Sequence, residues 1–170
     1  NEPKIQDYIL SILMSSERFD EALTRLRARS AQNPGDKANN LAIATVLIRA
    51  GRLDEALAYV KSLGARADSM AHYTVGVACF EKVRNDKEQL IGPEQRMVIV
   101  DAGSEQLRKS VAMTPDSFDS LVYLNLVLRQ KARLEVDPVV QQALIAEAVT
   151  LQDKARAIAA ARKAKEAAAS

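Results

Sequence analysis

The sequence predicts an all-α chain built from antiparallel helix pairs, about four hairpins in all, the last two elongated. Three observations predict it. The hexapeptide Arg18-Phe19-Asp20-Glu21-Ala22-Leu23 returns as Arg52-Leu53-Asp54-Glu55-Ala56-Leu57, matching at five of six positions. That spacing, about 34 residues, is the period of stacked helix–turn–helix units. Ala, Leu, Arg, Glu, Gln and Lys are plentiful, while only 6 Gly and 5 Pro interrupt them in 170 residues, which favours helix over strand. The breakers also fall between apolar periodic stretches: Asn33-Pro34-Gly35-Asp36, Gly51, Ile91-Gly92-Pro93 and Val136-Asp137-Pro138.

Taken in order, helices are expected over residues 3–15, 18–32, 37–50, 53–64, 69–89, 94–113, 117–134 and 138–165. Asp20-Glu21 and Asp54-Glu55 fall in the first turn of a helix, where carboxylates meet the positive end of the dipole. Ala22 and Ala56 lack bulk, so a neighbouring helix can come close. Gly51 lies at a reversal that needs backbone freedom. Asp137 before Pro138 has the form of an N-cap with proline in the first turn. The two halves differ in spacing. Gly76 and Gly103 stand much farther apart in the chain than Ala44 and Ala56, and so do Asn125 and Ala148. Val100, Gly103, Lys109, Ser110, Ala112 and Met113 align with Ile145, Ala148, Lys154, Ala155, Ala157 and Ile158 at an offset of 45. Both helices of each later hairpin are therefore expected to be longer.

The recurrence resembles the tetratricopeptide repeat family, in which an acidic pair and a small alanine open the second helix of each unit. Laid along the chain, the pattern places Ile9, Leu10, Leu13, Ala22, Leu26 and Pro34 in a first unit. Ile43, Ala44, Leu47, Ala56 and Val60 follow in a second, with Asp68 in place of the closing proline. Val75, Gly76, Cys79, Gly103, Leu107 and Pro115 form a third, and Leu124, Asn125, Leu128 and Ala148 a fourth. The family's large aromatic near each unit's start is replaced by Gln6, Asn40, His72 and Leu121. The resemblance implies one right-handed α-solenoid domain with units of about 3–36, 37–68, 69–116 and 117–158, followed by a basic, Ala-rich helix end at 159–170. The long later hairpins resemble those of bacterial members, which implies bacterial cytoplasm or periplasm. The chain opens on Asn1 rather than Met, which leaves room for an export signal removed before it.

Composition narrows the function classes. Lys and Arg total 24 against 22 Asp and Glu, a net charge of +2 spread evenly along the chain, so a nucleic-acid partner is not expected. The cluster Lys154, Arg156, Arg162, Lys163 and Lys165, against Asp153 and Glu166, reads as a solvated helix end. No run of about 18 apolar residues exists to span a membrane. The single cysteine, Cys79, and single histidine, His72, bring no CxxC, no HExxH and no second ligand at helical spacing. His72 falls at the family's aromatic position and is expected to pack. Cys79 lies on the core side of the same helix as a small hydrophobe. No phosphate-cradling glycine loop is present. The chain is expected not to be an enzyme and to use no cofactor or metal.

Binding is the remaining function class. In this family the first helices of successive units line a concave surface. The resemblance assigns to it Lys4, Asp7, Ser11 and Met14, then Leu41, Thr45, Ile48 and Arg49. Tyr73, Val77, Phe80 and Glu81 follow, and then Val122, Leu126, Arg129 and Gln130. The apolar part would accept a helix face or an extended peptide of a partner protein. The same residues could instead be ordinary core under tight curvature. The family's carboxylate clamp is missing, since Leu41, Thr45, Thr74 and Val122-Tyr123 stand at its positions. Asn125, alone in the apolar run Leu121 to Leu128, is expected to tie two helices by a hydrogen bond. For Ala155 to Ala169 three roles are open: a solvating cap, the start of a further unit, or a flap over the apolar groove. A scaffold that binds a partner protein is the leading expectation. Homo-oligomerisation through end helices, or carriage of a small apolar ligand or lipid, are the alternatives.

Overall fold

The computed structural model describes residues 2–169, with side chains from Ile5 onward. Among the described residues there are eight α-helices and no strand: α1 Glu2–Ser15, α2 Phe19–Gln32, α3 Lys37–Arg49, α4 Leu53–Leu63, α5 Ser69–Arg84, α6 Pro93–Met113, α7 Phe118–Leu134 and α8 Pro138–Ala169, with a 3-10 turn at Gly64–Arg66. They form two compact units, Asn1–Val75 and Gly76–Ser170, and the division falls inside α5.

The first unit repeats its backbone as well as its sequence. At the end of α1 the Arg18 N–H donates to the Leu13 carbonyl at 2.8 Å, and at the end of α3 the Arg52 N–H donates to the Leu47 carbonyl at 2.9 Å. Each bond closes a Schellman-type helix end, whose penultimate residue must be left-handed. In the second copy that residue is Gly51, φ 75°, and in the first it is Glu17, φ 57°. Arg18 and Arg52 then flank the next helix start. Arg18 pairs with Glu21 at 2.5 Å; Arg52 pairs with Glu55 at 2.6 Å and also reaches Asp20 of the preceding repeat at 2.7 Å. The Arg52 guanidinium holds the Glu55 carboxyl below its ordinary pKa.

Ala22 and Ala56 are fully buried, where the sequence needed small residues. Around them pack Leu13, Leu23, Leu26, Ile43, Leu47 and Val60. At about 25 cal/mol per Å² of apolar surface, this burial is the main stabilising term. Two asparagines lie within it. The Asn39 side chain donates to the Leu26 carbonyl at 2.9 Å. Asn40 donates to the Pro34 carbonyl at 3.2 Å and accepts from the Tyr59 hydroxyl at 2.8 Å. Asn40 thus replaces the expected aromatic with a hydrogen-bonded node that fastens the α2–α3 turn to α4.

In the second unit α5 and α6 cross at glycines. A Cβ added to Gly103 would lie 2.7 Å from the Cys79 Cβ, and one added to Gly76 would lie 3.2 Å from the Gly103 carbonyl. Such close approach needs residues without side chains. The α6–α7 turn is closed by Ser120, whose hydroxyl bonds those of Ser110 and Ser117, each at 2.9 Å. Asp137 caps α8, its carboxylate accepting from the Val139 N–H at 2.8 Å, as expected from the Asp-Pro sequence.

The elongated hairpins are present, with one difference. Helix α5 stops at Arg84 rather than at 89. Asp86 turns the chain instead, its carboxylate accepting from the N–H groups of Leu90 at 2.9 Å and Ile91 at 3.0 Å. Arg96 of α6 pairs with the same carboxylate and donates to the Ile91 carbonyl at 2.8 Å. These local bonds compete with helix continuation. The donors, the Ile91 N–H first, hold the Asp86 carboxyl below its usual pKa.

Candidate functional site

Within the first unit, Leu41, Thr45 and Ile48 recur at helical spacing along α3. All three are half-buried, and Arg49 beside them is exposed. The Thr45 hydroxyl donates to the Leu41 carbonyl at 2.9 Å, so its methyl is the part left for contact. Ile48 also packs on the core cluster. Tyr73 is half-buried on α5. Of the α1 residues, Asp7 pairs with Arg29 at 3.5 Å, Ser11 is exposed and Met14 is half-buried; the Lys4 side chain lies outside the described residues.

Within the second unit, Val77, Val122, Leu126 and Arg129 are half-buried. Phe80 is different: it is 8% exposed, and its ring meets Tyr123 edge-on with centroids 5.8 Å apart. It belongs to the interior wall more than to a surface. Arg129 is held in place, donating to the Asn125 side chain at 2.8 Å and the Gln152 side chain at 3.1 Å. The bond between α7 and α8 is thus made by Arg129, and Asn125 braces that side chain from within its own helix. Gln130 donates to the Phe80 carbonyl at 3.4 Å.

His72 is 7% exposed and Cys79 fully buried, so neither is presented to a substrate. Among the described residues no group of three or more His, Cys, Asp or Glu side chains could hold a metal ion, and no helix is long and apolar enough to cross a membrane.

One exposed feature escaped sequence analysis. Ile5, Tyr8 and Ile12 lie along α1 at 56%, 69% and 46% exposure. Their spacing by threes and fours was the available signal, but Ile9, Leu10 and Leu13 interleave with them. Apolar residues that fall on more than one side of a helix do not say which side is covered.

The fold defines a class: an all-α protein of successive antiparallel helices with an internal repeat. The tetratricopeptide repeat family matches residues 13–73, the stretch in which the recurring hexapeptide lies. Over that stretch the chain is similar to the tetratricopeptide repeat family, whose repeats generally mediate protein–protein interaction. No curated protein is similar enough to match the chain. A solved structure titled "MamA RS-1 ArsTM double mutant" is similar at 13% identity and a TM-score of 0.41, over 90% of this chain and 96% of that one.

Proposed function

We propose that the chain is a protein-interaction module that holds a helix or extended peptide of a partner against its half-buried first-helix stripes. The observation that carries this is the row Leu41, Thr45 and Ile48 on α3. It offers apolar contact beside a closed core, where water is displaced at little cost. In the second unit Val77, Val122 and Leu126 offer the same chemistry. The experiment is selection of peptides from a displayed library on the intact chain, followed by titration against Leu41→Glu and Thr45→Arg. Selected peptides should be rich in Leu, Ile or Phe, and each variant should weaken them about tenfold or more. Peptides that bind both variants unchanged would refute this site.

A second reading, self-association through an end helix, is favoured by the exposed Ile5, Tyr8 and Ile12. Light scattering across concentration separates the two: concentration-dependent dimers dispersed by Tyr8→Glu would put self-association first, and a monomer would leave the first reading standing.

A further inference from the structure

A second surface stands apart from the apolar stripes. Where α5 ends and the Asp86 turn leads into α6, a cleft of about 430 Å³ opens within the second unit, with residues of α7 on its other side. Its walls are Val83 and Leu134, and its polar side chains include Arg84, Lys87, Arg96 and Arg133. One acid, Asp86, lies among them. That carboxylate is occupied by Arg96 and the Leu90 and Ile91 N–H groups, and its side chain is 7% exposed. Arg84 is paired with Glu81 at 2.6 Å. Lys87 and Arg133 are exposed, and among the described residues neither has an ion-pair partner. The cleft therefore carries two cations beyond those that Asp86 and the neighbouring Glu81 neutralise.

We infer that this cleft takes an acidic peptide segment, with carboxylates on Lys87 and Arg133 and an apolar side chain between Val83 and Leu134. Size argues for a peptide over a small anion: pockets that enclose several groups at once begin at about 300 Å³, and this cleft exceeds that. The apolar walls argue the same way, because a bare phosphate gains nothing from them. A third observation concerns Gln130 in the lining, whose amide oxygen is buried without a donor. Buried acceptors normally have one, and a backbone N–H of a bound segment would supply it if the amide gives up its long bond to the Phe80 carbonyl and turns toward the cleft. Arginine in such a rim grips carboxylates through paired N–H groups.

The test uses the intact chain and a fluorescein-labelled octapeptide of alternating glutamate and leucine, read by anisotropy. The peptide should bind, bind more weakly as salt rises, and lose about tenfold or more in affinity to the double variant Lys87→Glu with Arg133→Glu. Lys163→Glu with Lys165→Glu changes net charge equally on the exposed end of α8 and should leave binding unaltered. Helix content by circular dichroism should be the same in all three proteins. A lysine–leucine octapeptide that binds equally well would overturn the inference. So would inorganic phosphate that displaces the acidic peptide at ionic strengths where chloride does not, since the site would then be one for small anions. Equal weakening by both double variants would reduce the effect to overall charge. Binding that survives the cleft variant but fails in Leu41→Glu would place the acidic peptide on the apolar stripe, sinking the cleft and sparing the first proposal.

Discussion

Glu17 and Gly51 occupy the same place in successive repeats, and both are left-handed. A side chain in that conformation costs about 1–2 kcal/mol, and glycine escapes the cost. Glu17→Gly should therefore stabilise the chain by about 1 kcal/mol, and Gly51→Ala should destabilise it by a similar amount. Urea unfolding of both variants checks this; a Glu17→Gly midpoint at or below the parent's would mean that the first turn is not strained. Sequence alone marked Gly51 as a turn. It could not mark Glu17, because the family pattern constrains backbone shape there and glutamate carries no sign of φ. The acidic pairs were legible for the dipole they meet. The arginines before them were legible as matching letters only, since ion pairing from Arg52 to both Glu55 and Asp20 depends on neighbouring repeats being stacked.

Helix boundaries follow local chemistry, and most were readable for that reason. Asn33-Pro34-Gly35, Gly51 and Asp137-Pro138 stop or start helices through their own backbones and side chains. The end of α5 was not readable, because Asp86 works with Arg96 of the next helix, a pairing set by the packing of α5 on α6. That packing rests on Gly76 and Gly103. Gly103→Ala would place a methyl 2.7 Å from the Cys79 Cβ, and neither backbone can yield without moving a helix. A loss of about 1–3 kcal/mol is expected. The loss should persist in Gly103→Ala with Cys79→Ala, which retains the Cβ, and shrink with Cys79→Gly. Full rescue by Cys79→Ala would show that the sulfur, and not the backbone approach, sets the crossing.

At the scale of the whole chain, the long α8 sets the expected behaviour of the C-terminal stretch. Only Leu144, Ala148 and Ala155 are buried in its 32 residues, and every described position from Ala159 onward is exposed. The stretch continues α8 and does not fold back as a flap. Arg162 lies over the Phe118 ring at 5.8 Å, a contact of a kind that contributes about 0.5–1 kcal/mol when exposed. A chain ending at Ile158 should melt within about 3 °C of the full one. A fall of about 10 °C in the thermal midpoint would make the stretch a structural part of the second unit.

What the sequence by itself determined is the helical class, the repeat period, the buried alanines and the extra length of the later hairpins. Periodicity, breakers and side-chain size act within a few residues or along one helix, so they can be read from order alone. Tertiary structure alone decided which apolar residues stay partly open and which close. Val77 and Phe80 lie on one helix, yet Val77 is half-buried while Phe80 is enclosed against Tyr123. It alone decided that Arg129 is held by Asn125 and Gln152 while Arg133, one turn on, stays exposed. Exposure depends on which helix comes to lie alongside, and that partner is distant in the chain.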